Sequence, residues 1–432
     1  MTLVSSSNLT VVLFAAGEGH RMRNLTKFLP KAMLPVAGRP LLSYSLLSLV
    51  QAGFQDLIVI IQEEDIQLAS YLQAYETRVN LTVVTIEREI STIGALLRVS
   101  NLITGDFIIM SSDLISDCNF SKIIDLHMIS NSSLTILLSD LSREEQELPY
   151  ERRDKAASEI VVYDEDTNRL LALINAADMN NKFRLSRTIL RKYPRLRYTT
   201  CWQDCYLYVC KHWILSFLKD WNAMESVKWE LLPLLVRKQF KRSRYTADST
   251  PGNVFDYIKA TRSSTELTEG DPLRCFLYFS RVYSRRVNTI CRYFDANFHI
   301  KETKFSCEIE RFGSSSDISK RTQVKSDVII GEGCKVGDRC SIRNTVIGNH
   351  CTVANNVKIM NSVLMDHVTV EAHCVIQNSI ICHDSYVNSN CKLLNCLVEA
   401  SCTVEKNTLI KDESIVKKTF ACEAEDEWPS FV

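Results

Sequence analysis

The sequence predicts an α/β domain followed by a triangular parallel β-helix. Three observations carry this. Short apolar runs alternate with stretches of helical spacing over residues 1 to about 140. A glycine-bearing loop, Ala15-Ala16-Gly17-Glu18-Gly19, follows the first of those runs. Aliphatic residues from Ile330 to Ile410 recur in six-residue steps grouped in threes, so that the pattern repeats every 17 residues. Alternating strands and helices imply βαβ units on a mostly parallel sheet. Hexads grouped in threes describe coils with three short sides.

The elements follow in order. Residues 11–15 read as the first strand and 40–52 as a helix that stops at Gly53. Strands are expected at 57–61, 81–86, 107–111 and 134–138, with helices at 66–75, 92–99 and 120–130 between them. Residues 142–155 are charged and loop-like, and a hairpin follows at 160–163 and 170–174. A helix at 186–192, a strand at 205–210 and helical stretches at 213–218 and 225–236 complete the expected domain, 1–240. Polar residues with Ser-Thr-Pro-Gly over 241–272 read as a long loop, and 241–320 as the connecting segment.

The repeat occupies the expected third region, 321–414, and an acidic tail ends the sequence at 415–432. Its aliphatic columns run Ile330, Val336, Ile342, then Ile347, Val353, Ile359, and on in the same way to Ile410. Four residues after aliphatics in the six-residue steps stand small residues: Cys334, Cys340, Cys351, Val357, Val368, Cys374, Ser385, Cys391, Cys402 and Thr408. A narrow prism core needs them small, so these cysteines read as buried hydrophobes and not as a metal cluster. Asn344, Asn361, Asn378 and Asn395 form a second column. Asparagine tolerates the left-handed backbone of a tight corner, and stacked amides bond coil to coil. His350 and His367 stack one coil apart, which suits a solvated column better than an acyl-transfer base.

Lysine plus arginine and aspartate plus glutamate both number 51 in 432 residues, so the formal charge is zero. No global field draws the chain to nucleic acid or to anionic lipid. The first ten residues are polar, no secretory signal is expected, and no apolar run reaches the length of a membrane span. The 16 cysteines include no Cys-x-x-Cys pair and read as reduced thiols in the cytosol.

The chemistry sits in Ala15 to Met22, Leu25-Thr26, Pro30-Lys31 and Leu34-Pro35-Val36. A glycine loop after a strand lets backbone N–H groups approach phosphate, with Arg21 as a fork and Lys31 as a point charge. The string resembles the opening of the sugar-1-phosphate nucleotidyltransferase family, A-G-G-x-G-[TS]-R, L-T, P-K-P, P-V. The resemblance implies a Rossmann-like nucleotidyltransferase domain followed by a left-handed parallel β-helix of hexapeptide repeats. It also implies a metal-binding aspartate after the fourth strand, matched by Asp113 in Ser111-Ser112-Asp113-Leu114.

The departures are many. Ala16 replaces a loop glycine, and His20 replaces the small hydroxyl. The family's G-T-A becomes Ser91-Thr92-Ile93, and Glu-Lys-Pro is missing from the comparable stretch Leu173-Ile174-Asn175-Ala176-Ala177. Asn-x-Gly looks like Gln203-Asp204-Cys205, and W-x-D-[IV]-G has no counterpart near 240–260. One carboxylate does not complete a two-carboxylate metal site. Gly17, Gly19, Arg21, Lys31, Thr92 and Asp113 are therefore the expected vestigial nucleotide- or phosphate-binding set, with no catalytic residue, no metal ligand set and no cofactor. Asp113 and Asp117 have a structural alternative, capping the helix that starts near Phe120.

Three further stretches bear on the reading: Ser111 to Asp117, and, outside the transferase motifs, Tyr193-Pro194-Arg195-Leu196-Arg197 and Leu234 to Phe240. They resemble the transferase-like subunits of the exchange factor that serves translation initiation factor 2. That resemblance implies a supporting, non-catalytic subunit in a cytosolic hetero-oligomer. Its implied partners are an epsilon-like catalytic subunit, the other subunits of the factor, and initiation factor 2 as the substrate of the complex. No helical domain follows residue 410, which fits a supporting role. The alternative is an active mannose- or glucose-1-phosphate nucleotidyltransferase. Arg187, Arg191, Lys192, Arg195 and Arg197 with Tyr193 and Tyr198 resemble an RNA-binding patch, but a solvated face or subunit contact is the expectation.

Overall fold

The computed structural model describes residues 9–75, 79–140, 159–175, 185–221, 223–240, 254, 257–258 and 273–415. The loop expected at 142–155 and the tail at 416–432 lie outside the described residues, as does the segment 241–272 apart from Val254, Tyr257 and Ile258. The chain divides into two compact units between Ile309 and Glu310.

The first unit is built on seven strands: β1 (Thr10–Phe14), β2 (Asp56–Gln62), β3 (Asn80–Ile86), β4 (Phe107–Ser111), β5 (Leu134–Asp140), β6 (Trp202–Cys210) and β7 (Cys275–Ser280). They lie in the order β7-β5-β6-β4-β1-β2-β3. Every pair is parallel except those of β6, which runs antiparallel to both neighbours. The central strands are apolar on both faces, as a sheet covered on both sides requires.

Local signals set the helix ends. Pro40 precedes Leu41–Gln51, and Gly53 at φ 87° closes it in the left-handed region. Ser91 accepts from the Gly94 amide and starts Thr92–Arg98. Asn119 caps Phe120–Ile129 by accepting from the Ser121 amide, so neither Asp113 nor Asp117 has that role. Asp117 instead accepts from the Lys304 amide at 3.0 Å.

His127 on this helix is fully buried, with Nδ1 2.9 Å from the Thr135 hydroxyl. Burial, aided by the charge of Lys211, pushes its pKa down to about 4. The unfolded chain then binds a proton that the fold refuses between about pH 6.5 and 4. Stability is expected to fall as pH drops through that window. Urea titrations of His127→Phe should show a flatter profile there, and parallel profiles would reject the assignment.

The expected connecting segment is largely part of the first unit. β7 forms a sheet edge against β5, and Ser284–Arg286 pairs antiparallel with Leu114–Ser116. The helix Ile290–His299 returns to the N-terminal region. Tyr293 donates to the Pro35 carbonyl at 2.6 Å, and Asn297 accepts from the Ala37 amide at 2.8 Å. The polar run before residue 273 concealed this return, because pairing with β5 is set by a strand far back in the sequence.

The second unit is the left-handed parallel β-helix. Its strands run from Asp317–Ile318 to Ser414–Ile415, slightly beyond the expected limits. Ile342, Ile359, Ile376, Leu393 and Ile410 stand in register, each 17 residues from the next. Val336, Val353, Val370, Val387 and Val404 form a second column. Ile330, Ile347, Leu364, Ile381 and Val398 form the third. From Gly333 to Asp412 each corner carries a left-handed residue. Asn344, Asn361, Asn378 and Asn395 have φ of 42° to 55°. Amides of Asn344 and Asn378 donate to Asn361 and Asn395 at 3.0 and 3.1 Å.

The small inward column also bonds between coils. Thiols of Cys334, Cys340, Cys351, Cys374 and Cys391 each donate to the carbonyl 14 residues ahead at 2.9–3.1 Å, and Ser385 does the same at 2.8 Å. His350 and His367 rings stack at 5.2 Å, both on left-handed corners.

Candidate functional site

The site forms where β1 and β4 end side by side, the usual ligand edge of an open α/β sheet. A cavity of about 520 Å³ opens there. Gly17, Gly19, Arg21, Lys31, Thr92 and Asp113 all line it. The six residues singled out from sequence are therefore gathered in one place.

The loop after β1 is held by its own contacts. The Met22 amide donates to the Gly19 carbonyl at 2.7 Å, and Gln62 donates to the Ala16 carbonyl at 2.9 Å. His20 is exposed and pairs with Glu18, which also meets Arg88. Gly19 has φ 71°, and a Cβ there would come within 2.9 Å of the Thr26 methyl. Gly19→Ala is expected to cost about 1–2 kcal/mol through left-handed strain, plus the contact. A urea midpoint that does not move would show that the loop relaxes around the methyl. At Gly17 a Cβ would meet nothing within 4 Å. Its backbone is open to the cavity. Arg21 is exposed and makes no ion pair among the described residues.

Asp113 is buried at the base. Arg286 grips it with a fork, Nε to Oδ1 at 2.9 Å and Nη2 to Oδ2 at 3.1 Å, while the Lys31 ammonium pairs with Oδ2. Burial alone would raise this carboxyl, but the Arg286 and Lys31 charges hold it well below the usual range. Asp113 also clamps the Arg286 proton, and the guanidinium lies 4.7 Å over the Tyr206 ring. Lys228, also in the lining, stands between Glu159 at 2.5 Å and Asp204 at 3.1 Å.

The metal implied by the fold family does not fit these residues. Both oxygens of Asp113 already accept from fixed cations, and its facing group is an arginine. Among the described residues no three His, Cys, Asp or Glu side chains converge as a metal site. Arg286 was the principal residue missed in the sequence, where its counterpart was sought near 240–260. Ser284-Arg285-Arg286-Val287-Asn288 matches W-x-D-[IV]-G at its valine and puts arginine at the carboxylate position. That order was the available signal.

A second correction concerns Asn-x-Gly. The residue in the left-handed region is Tyr206, φ 54°, not Cys205. The geometry that glycine serves thus falls one position later, on Asp204-Cys205-Tyr206. Asp204 accepts from the Tyr206 amide at 2.8 Å and from the Tyr208 hydroxyl at 2.5 Å. The Tyr206 ring fills space that glycine would leave open.

Thr92 reaches the cavity with its hydroxyl engaged: it donates to the Glu225 carbonyl at 3.1 Å and accepts from the Val227 amide at 3.0 Å. Asn175 also lines the cavity, whereas Ala176 and Ala177 lie outside the described residues. The basic cluster is partly neutralised, Arg195 by Asp166 at 2.9 Å and Arg197 by Glu165 at 2.5 Å. Two of the non-transferase stretches meet around Arg169. Its guanidinium lies 5.8 Å from both the Tyr193 and Phe240 rings, and it bonds Gln239 at 3.2 Å.

A nucleotidyl transferase family model matches residues 10–148, and a model of the EIF2B subunit epsilon LbH domain matches residues 312–410. Translation initiation factor eIF2B subunit gamma of Schizosaccharomyces pombe is 28% identical over 340 residues, 76% of this chain and 72% of that protein. The protein of the same name from Caenorhabditis elegans is 24% identical over 327 residues, 74% of this chain and 79% of its own. A mannose-1-phosphate guanyltransferase of Debaryomyces hansenii is 25% identical over 165 residues, 37% of this chain and 42% of that protein.

Proposed function

We infer that this chain belongs with the gamma subunits of translation initiation factor eIF2B and serves that complex without catalysing nucleotidyl transfer. Similarity to gamma subunits covers about three quarters of the chain, while the guanyltransferase likeness stops near one third. One observation carries the non-catalytic reading: Arg286 stands against Asp113 where transfer chemistry would need a second carboxylate. The phosphate-facing parts, Gly17, Gly19, Arg21 and Lys31, are kept as vestiges.

On this reading the chain works in the cytosol, pairs with an epsilon-type subunit that carries the catalytic domain, and supports GDP-for-GTP exchange on initiation factor 2. The test begins with the tagged chain purified from its own cells. Its native mass should exceed that of a homo-oligomer, with an epsilon-type chain in stoichiometric amount. The pair should release GDP from initiation factor 2 faster than the epsilon-type chain alone. A partnerless homo-oligomer, or an unchanged release rate, would overturn the subunit reading. Pyrophosphate release from a nucleoside triphosphate and a sugar phosphate, lost in Asp113→Ala, would establish the transferase instead.

A further inference from the structure

The glycine-loop end of the cavity is cationic without any metal. Asp113 contributes one negative charge and meets two cations, Lys31 and Arg286. Arg21 adds a third cation at the rim, with no ion-pair partner among the described residues. Lys228, also in the lining, is taken up by Glu159 and by the buried Asp204. Apolar side chains, Phe14, Ile86, Ile90 and Trp229, share the lining, and the charged groups beside the loop are net positive.

The guanidinium of Arg286 has donors to spare. Nε and Nη2 serve Asp113, and Nη1 has no hydrogen-bond partner among the described residues. Five N–H donors in one rigid plane suit phosphate oxygens as well as carboxylates. Its place is fixed, since Arg286 pairs with Leu114 in the strand beside Asp113. The open backbone at Gly17 and the hydroxyl-bearing Ser111 and Ser112 line the same space.

We propose that this cavity seats a phosphate-bearing anion without a divalent metal, with the Arg286 guanidinium in the place a metal ion would take. Arg21, Lys31 and the Gly17 backbone complete the seat. A metal-loaded phosphate carries less charge and would meet a cation already in place, so magnesium competes with binding instead of assisting it. The proposal stands apart from the subunit assignment, and either can fail alone.

The experiment is calorimetric titration of the full chain, with whatever subunits accompany it, in chelator and then in excess magnesium. The probes are inorganic pyrophosphate, GDP and glucose 1-phosphate, which separate a bare phosphate seat from one that also reads a nucleoside or a sugar. At least one should bind in chelator and gain nothing from magnesium. Arg21→Ala, at an exposed position that leaves the core intact, should weaken it about tenfold, and Arg286→Gln by at least as much. No binding of any probe up to about 1 mM would overturn the proposal. Binding only with magnesium, or equal binding by the Arg21→Ala chain, would do so too.

Discussion

Asp113→Ala is expected to lower the stability of the first unit by roughly 3–5 kcal/mol, the usual result of deleting one partner of a buried ion cluster. Lys31 would remain buried and Arg286 half-buried, the two cations facing each other without the carboxylate between them. Urea unfolding followed by tryptophan fluorescence reads the change. The pH dependence gives a second reading. The carboxyl is held well below its ordinary range by Arg286 and Lys31, against its burial. Its contribution is therefore complete above the unfolded value of about 3.9 and disappears only as pH falls through the depressed one. The alanine variant should lack that acid-limb loss. A variant as stable as the parent would mean that desolvation cancels the pairing.

Ile359→Ala is expected to cost about 2–5 kcal/mol in the β-helix. Ile359 is fully buried and in register between Ile342 and Ile376. Coils contact only their neighbours, so a cavity at one level weakens the junctions above and below it. Hydrogen exchange of the coil amides should rise most at 341–347 and 375–377 and least toward the last coil. Uniform exchange along the prism would reject nearest-neighbour coupling.

Much of this was legible beforehand. The helix Ile66–Tyr75 and the strand Phe107–Ser111 lie where their patterning placed them. The 17-residue columns lie where the spacing put them, because each inward position has a chemical requirement of its own. What escaped was decided at long range. Arg286 reads locally as one of several surface arginines, yet it is drawn in, half-buried, by a carboxylate 173 residues away. β7 takes its place from β5, not from its own flanks. Tyr206 is a β-former forced into a glycine conformation, and only the bulge in β6 between Asp204 and Tyr208 explains it.

The thiol-to-carbonyl bonds that join the coils reach 14 residues ahead, and the side-chain columns repeat at 17. A single inserted residue would throw every later cysteine, asparagine and valine out of phase with the coil before it. Removal of a whole 17-residue block would rejoin like to like. The prism can therefore change its height in evolution only by whole storeys, and a length comparison across related chains should count in that unit.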